Sequence, residues 1–144
     1  MVDVGAKRRT RRRAIARAEV RLNARAYGAL CGARLAKGDA LAVARLAGIQ
    51  AAKRTSEWIP LCHPVPLDAV TVEVEFVDRD RTVRVTTEVR TRWVTGVEME
   101  ALVAASAACL ALYDMAKALD RGIEITGPRL VLKEGGRSGR YRRG

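Results

Sequence analysis

No charged side chain occurs from Ala101 to Tyr113. A helix built on such a run has no polar face to turn to water and must be covered on nearly every side. The chain has 144 residues, enough for one domain with one substantial core. Aromatic residues make up only 4% of it against 49% apolar residues in all, so that core must be assembled from Ala, Val and Leu. Small side chains of this kind suit helices lying closely on a sheet. Charge returns at both ends of the silent run, with Glu98 and Glu100 before it and Asp114 and Lys117 after it. Thr95 and Glu98 are spaced as a capping box at its start, and Gly122 is placed to close it.

The other elements follow from periodicity. Residues 69–77, AVTVEVEFV, alternate strictly, with Val70, Val72, Val74 and Phe76 on one side and Thr71, Glu73 and Glu75 on the other. This predicts a half-buried antiparallel strand. Residues 78–81 are a polar turn, and residues 82–91 alternate again with Val83, Val85 and Val89 inward, which completes a hairpin. Residues 40–55 repeat Leu41, Ala44, Gly48, Ile49 and Ala52 at helical spacing behind Asp39, a natural N-cap. Gly48 in that stripe predicts a close approach to another backbone. Residues 24–35 read as a shorter helix behind Asn23. Residues 14–22 read as a short edge strand or an irregular lead-in, and residues 123–126 and 129–132 are β-like around Pro128. The order, roughly (β)ααββαβ, predicts an α+β fold, a ferredoxin-like two-layer sandwich with an antiparallel sheet and helices on one face. Residues 1–144 read as a single domain with basic flexible ends at about 1–13 and 134–144.

The formal charge of +11 is concentrated at those ends. Residues 7–13, KRRTRRR, hold six basic groups and residues 137–143, RSGRYRR, hold four, with no acid in either window. Taking these ten from the twenty-seven basic residues leaves seventeen against sixteen acids, so the body is nearly neutral. A basic run of this kind is either a solvated arm or a contact for nucleic acid or polyphosphate. A single-strand binder would interleave a cluster of aromatic platforms with its basic residues, and this chain has six aromatics in all and no such cluster, so nucleic acid is not the expected partner. The apolar runs fall short of the roughly 20 residues needed to cross a bilayer, and no signal segment is recognisable, which predicts a cytoplasmic protein. Cys31, Cys62 and Cys109 are widely spaced, without a CxxC pair, and the chain has one histidine. A Cys/His metal site and a disulfide framework are both poorly supported by that set.

Chemically capable residues are crowded into residues 51–64, AAKRTSEWIPLCHP. A basic helix end, Lys53-Arg54, runs there into a Pro-bounded loop presenting Cys62 and His63. His63 is either a satisfied loop histidine or a donor to a ligand, and Cys62 is best explained by packing or backbone contact. Asp114 and Lys117, three residues apart, share a helix face. They form either an ordinary surface ion pair or an acid–base pair whose pKa values are moved by partial desolvation. Glu98 and Glu100 either compensate the helix dipole or accept hydrogen bonds from an amine-rich ligand. Lys37, Lys53 and Lys133 each adjoin turn-like sequence. The stretch from Lys133 to Gly139 is either a loose tail or a wrap for polyphosphate, although it does not match the P-loop pattern.

Three blocks, AGIQAAKRTSEWIPLCHPVPL, TGVEMEALVAASAACLALYDMAKAL and LKEGGRSG, resemble the signature stretches of the cyclic pyranopterin monophosphate synthase family, the molybdenum-cofactor biosynthesis protein C family. The opening MVDV and the KGDALAVARLAGI block are similar to it too, so the resemblance covers nearly the whole chain. It implies a ferredoxin-like subunit in a homohexamer, a trimer of dimers, with active sites at subunit interfaces. It implies a lyase acting on 3′,8-cyclo-dihydro-GTP, releasing pyrophosphate by acid–base chemistry with no metal and no cofactor. By motif it makes Asp114 and Lys117 the acid–base pair. Lys53 and His63 would bind or polarise the substrate, with Leu61 and Cys62 against it. Glu98, Met99 and Glu100 would hold the purine-derived end, and Lys37 and Lys133 would contact phosphate or assist proton transfer. Where the family has Lys-Ser-Gly-Gly-Lys this chain has Lys133-Glu134-Gly135-Gly136-Arg137, and where the family has Asp-Met-Cys-Lys it has Asp114-Met115-Ala116-Lys117.

Overall fold

The computed structural model describes residues 1–144. Strand β1, Thr10–Arg21, is followed by helices α1, Ala24–Cys31, α2, Ala40–Lys53, and the single turn α3, Thr55–Trp58. The hairpin β2, Ala69–Val77, and β3, Thr82–Trp93, leads into α4, Glu98–Ala116, then β4, Glu124–Glu134, and the short β5, Tyr141–Arg142. The sheet order is β2-β3-β1-β4-β5, and every pairing is antiparallel. Read from β4 inward, the first four strands have the ferredoxin-like order, so the expected α+β two-layer sandwich is what forms.

Strand β1 departs from expectation. It is central in the sheet, paired with β3 from Thr10 to Arg21 and with β4 from Arg13 to Arg21, and it begins inside the basic run at Thr10. Its inward residues are Ala14, Ala16, Ala18 and Val20, all fully buried. Arginines occupy much of the alternate register, which hides a period of two when apolar side chains alone are counted. On the outward face Arg13 bonds Glu88 at 2.7 Å and Glu134 at 3.3 Å, and Arg84 bonds Glu19 at 2.9 Å. These half-exposed pairs are each worth about 0–1 kcal/mol and keep that face polar. The tail also differs from a free arm, because Tyr141 and Arg142 pair with Lys133 and Leu132.

Helix α4 packs against both α2 and the inner face of the sheet, and α2 lies beside it over β2. Ala101, Ala104, Ala105, Ala108, Cys109, Leu112 and Ala116 are fully buried, as an uncharged run requires. By length and mean hydropathy α4 could cross a membrane, contrary to the expectation from its apolar run alone. Its burial here makes it the core helix of the sandwich. Helix α2 comes close because Gly48 lacks a side chain. A Cβ there would lie 2.9 Å from Val72 Cγ2 and 3.1 Å from Ala104 O. The caps are those expected at Asn23, which accepts from the Ala26 amide, and at Asp39, which accepts from Leu41 and Ala42. Each such cap contributes about 1 kcal/mol.

The start of α4 is different from a capping box. Val97 is its N-cap, without a side-chain bond. The Glu98 carboxylate folds back over Gly96, where a Cβ would collide with it, and it pairs with Lys133 at 3.5 Å. Thr95 is thereby left as a wall of the cleft described below. Helix α4 ends at Ala116, well before Gly122, with Lys117 as its C-cap. Around Pro128 the chain continues as one strand, β4, with irregular register against β1 and a cis bond at Gly127-Pro128.

Candidate active site

Helices α2 and α4 run antiparallel, and the residues singled out from the sequence fall into two groups at opposite ends of this pair. At one end the turn before α2 meets the end of α4. Lys37 Nζ donates to Asp114 Oδ2 at 2.6 Å and to the Asp114 carbonyl at 2.9 Å. Lys117 Nζ lies 2.8 Å from Asp114 Oδ1. Each carboxylate oxygen therefore has its own ammonium partner. All three side chains are about half exposed.

Their electrostatics correct one expectation. Desolvation opposes the shifts of this pair and is outweighed by ion pairing. Ion pairing with Lys117 and then Lys37 holds the Asp114 carboxyl down at about 2, and Asp114 raises the Lys117 ammonium above its ordinary value. These contacts favour the charged forms of Asp114 and Lys117, whereas burial would have pushed both groups toward neutrality. In the isolated chain Asp114 is a carboxylate and Lys117 an ammonium across the neutral range.

The other end holds the start of α4 and the loop after α3. Ile59, Leu61, Cys62, His63, Thr95, Gly96, Glu98, Met99 and Glu100 surround a cleft of about 420 Å³. Leu61 is 72% exposed at its rim. Cys62 Sγ lies 3.8 Å from Glu100 Oε1 and 3.8 Å from the His63 carbonyl. Burial and then the neighbouring Glu100 raise the Cys62 thiol, so it is not an activated nucleophile. Lys53, at the end of α2, lines a smaller recess with Thr55, Ser56, Pro64, Val65 and Pro66 on the outer side of the same loop. Lys133, on β4, reaches Glu98 from the far side and also donates to the Ser138 hydroxyl.

Glu100 has a property that spacing could not supply. It is buried, and burial, reinforced by the nearby charge of Glu98, pushes its carboxyl up to about 7. A carboxyl balanced between acid and base near neutrality is what proton transfer requires. The sign of its effect on stability follows. With a folded pKa above the unfolded value, the folded chain holds the extra proton, so stability is fully present at acid pH. It is lost as pH rises from the ordinary carboxyl range through about 7. Relative to Glu100→Gln, the wild type is expected to lose on the order of 2 kcal/mol between pH 5 and pH 8, read from urea melts. Parallel pH profiles for the two proteins would contradict the protonated state of Glu100.

Glu98 and Asp114 stand about 24 Å apart along α4, at about 1.5 Å per residue. One chain therefore brings Lys53, Leu61, Cys62, His63, Glu98, Met99, Glu100 and Lys133 to one end, and Lys37, Asp114 and Lys117 to the other. No group of three or more His, Cys, Asp or Glu side chains is gathered as metal ligands would be. The contact that sequence reading missed is Lys37 to Asp114, which depends on the antiparallel α2/α4 pairing and on no local motif.

Comparison with known proteins finds matches over nearly the whole length of the chain. The family model described as the MoaC family matches residues 1–136. A cyclic pyranopterin monophosphate synthase of Cereibacter sphaeroides is 52% identical over 141 residues, covering 98% of this chain and 89% of the relative. Proteins of the same name from Bordetella petrii and Thermomicrobium roseum are 53% and 52% identical, covering 99% of this chain and 88% and 86% of theirs. With matches of this extent and identity, the chain belongs to the MoaC family.

Proposed function

We propose that this protein is a lyase of molybdenum cofactor biosynthesis that converts (8S)-3′,8-cyclo-7,8-dihydroguanosine 5′-triphosphate into cyclic pyranopterin monophosphate and pyrophosphate. The observation that carries this is the content of the two half-sites. One offers a near-neutral carboxyl, Glu100, beside Glu98, His63 and Cys62. The other offers a carboxylate held between two ammonium groups. Opening a purine-derived ring and reclosing it as a pterin requires protons to be taken and returned at several atoms. Glu100 and the Asp114/Lys117 pair would supply that exchange. Glu98 and the Met99 segment would accept from the amine-bearing edge of the ring, with Leu61, Cys62 and His63 along its other side. Closing a cyclic phosphate requires the triphosphate to be held in line and the departing pyrophosphate's charge to be met by cations. Lys37, Lys53 and Lys133 would fill that role.

A complete site needs both groups, and one chain holds them at opposite ends of α4. Juxtaposing the end of α4 in one copy with the start of α4 in another would complete it. This supports sites at subunit interfaces, in the homohexamer, a trimer of dimers, that the family resemblance implies. Val43, Leu46, Trp58, Leu61 and Leu110 are exposed apolar side chains on or beside the helical layer, as a surface covered by another copy would have. Enclosure by that copy would also supply the desolvation that the Asp114 pair lacks in a single chain. The three cysteines are free, which fits a reducing, cytoplasmic setting. This function does not call on nucleic acid, and part of the basic run is engaged within the chain. Arg13 is engaged by Glu88 and Glu134, and Arg9 lies 4.1 Å over the Trp93 ring.

The test is turnover. Purified protein given the cyclic dihydro-GTP, without added metal, is expected to release pyrophosphate and form the pterin together. A well-folded oligomer that released neither would refute the assignment.

A further inference from the structure

The inner face of β3 presents Val83, Val85, Thr87, Val89 and Thr91, all buried, so two hydroxyls interrupt an otherwise apolar stripe. A buried hydroxyl costs free energy unless it is hydrogen-bonded. Both of these reach away from the sheet to the elements that wall the cleft around Glu100. Thr87 Oγ1 donates to the Ala101 carbonyl, in the first turns of α4, at 2.8 Å. Its 3.5 Å approach to the Ala16 carbonyl, within the sheet, is the weaker contact. Thr91 Oγ1 donates to the Pro66 carbonyl at 2.5 Å. The Asp68 amide, bonded to the Arg90 carbonyl at 2.9 Å, closes the end of the same loop onto β3.

Neither wall is fixed by its own sequence. Helix α4 starts behind Val97 without a side-chain cap. Its first turn, which carries Glu98, Met99 and Glu100, therefore lacks the local lock that Asn23 and Asp39 give to α1 and α2. In the opposite wall, residues 63–67 donate no backbone amide to the chain's backbone. Thr87 and Thr91 supply from the sheet what both walls lack locally. They lie four residues apart on one face of one strand, roughly 13 Å along it, so the two walls share a single base. The walls meet where Cys62 Sγ lies 3.8 Å from Glu100 Oε1.

We infer that Thr87 and Thr91 are positioning residues for the reaction: Thr87 sets where Glu98, Met99 and Glu100 stand, and Thr91 sets where Leu61, Cys62 and His63 stand opposite them. Neither threonine lines the cleft, so each acts only through the wall it holds. The inference rests on the proposed function for what the cleft does, while the tethers themselves are defined by geometry. Valine has the shape of threonine without the hydroxyl. At position 87 it leaves no buried group orphaned, because the Ala101 carbonyl keeps the helical amide four residues on. Loss of function there without loss of fold would belong to the tether.

The test compares Thr87→Val and Thr91→Val with Thr87→Ser, which restores a hydroxyl, and with Thr86→Val, which removes one from the strand's other face. Amide hydrogen exchange on the intact oligomer reads the first tether without turnover. Thr87→Val is expected to speed exchange at residues 101–105 about three- to tenfold, the weight of one buried hydrogen bond, and to leave residues 108–112 within about twofold. In turnover, Thr87→Val is expected to lower kcat about tenfold with KM within about threefold, because the displaced groups are those that move protons. Thr91→Val is expected to raise KM about three- to tenfold with kcat within about threefold, because it loosens the wall along the substrate. Thr87→Ser is expected to return to within about threefold of wild type, and Thr86→Val to stay within about twofold. Wild-type kcat in Thr87→Val, or Thr87→Ser as impaired as Thr87→Val, would overturn the positioning role. Thr87→Ser and Thr87→Ala differ by the hydroxyl alone and give the same comparison if the valine variant does not fold. In a wild type without turnover, exchange quickened by Thr87→Val and restored by Thr87→Ser would keep the tether and refute the synthase assignment. Exchange unaltered by Thr87→Val would overturn the tether whatever the turnover.

Discussion

Asp114→Ala and Lys117→Ala are each expected to lower kcat by about 10³-fold while leaving the fold and the oligomer intact, since a positioned acid or base contributes roughly 10²–10⁴-fold. Both side chains are about half exposed and contribute nothing to the core, so loss of activity with an unchanged melting profile would separate chemistry from folding. The two variants would fail for different reasons. Removing Asp114 leaves Lys37 and Lys117 as neighbouring ammonium groups with no counter-charge. Removing Lys117 leaves Asp114 still paired with Lys37 at 2.6 Å, its charge intact but its proton partner gone. Lys117→Arg keeps the charge but holds its proton too tightly to exchange it, so it is expected to remain nearly as impaired as the alanine variant. Wild-type turnover by either alanine variant would remove the pair from the mechanism.

The pair as it stands in one chain is poorly tuned. A carboxyl held near 2 is a weak base at neutral pH, and efficient proton transfer favours a pKa close to the working pH. Excluding water would raise Asp114 and lower Lys117 together. Covering this end of α4 with another copy is the simplest way to do so, which ties the pKa problem to the distance problem.

Much of the fold was legible because it is local. Strand β2 has the predicted bounds, 69–77, because Val and Glu alternate there without interruption. Asn23 and Asp39 cap the helices they precede because their side chains need only reach amides two or three residues on. The burial of α4 followed from its missing charges. Strand β1 was misjudged because arginine, an outward-facing residue with a long apolar stem, conceals alternation with alanine. Thr95 was misjudged because Lys133, thirty-odd residues later and on another strand, draws Glu98 away from any capping role.

The candidate site divides along the same line. Its residue types were recognisable from motifs, but their grouping was not, because that depends on the antiparallel α2/α4 packing permitted by Gly48. The near-neutral state of Glu100 arises from burial by residues of α4 and the 59–63 loop together, and spacing along α4 carries no sign of it. The approach of the chain's end to its beginning likewise depends on the Gly135-Gly136 turn, which lies against Arg11 and Arg12 with no room for a side chain.

The second large effect tests the division of the site between chains. Asp114→Ala damages one end of α4 and His63→Ala damages the other. Each is expected to be nearly inactive as a pure oligomer. If every site takes one end from each of two copies, co-folding the two variants in equal amounts creates some sites whose halves are both intact. Random assortment across a two-fold interface gives about a quarter of wild-type activity. The measurement is turnover of the mixed oligomer, with the mixture verified by differently sized tags on the two variants. Recovery to about a quarter is the expected result. Mixed oligomers no more active than either parent would show that each chain carries a complete site or that these two groups never meet, and would contradict the shared site.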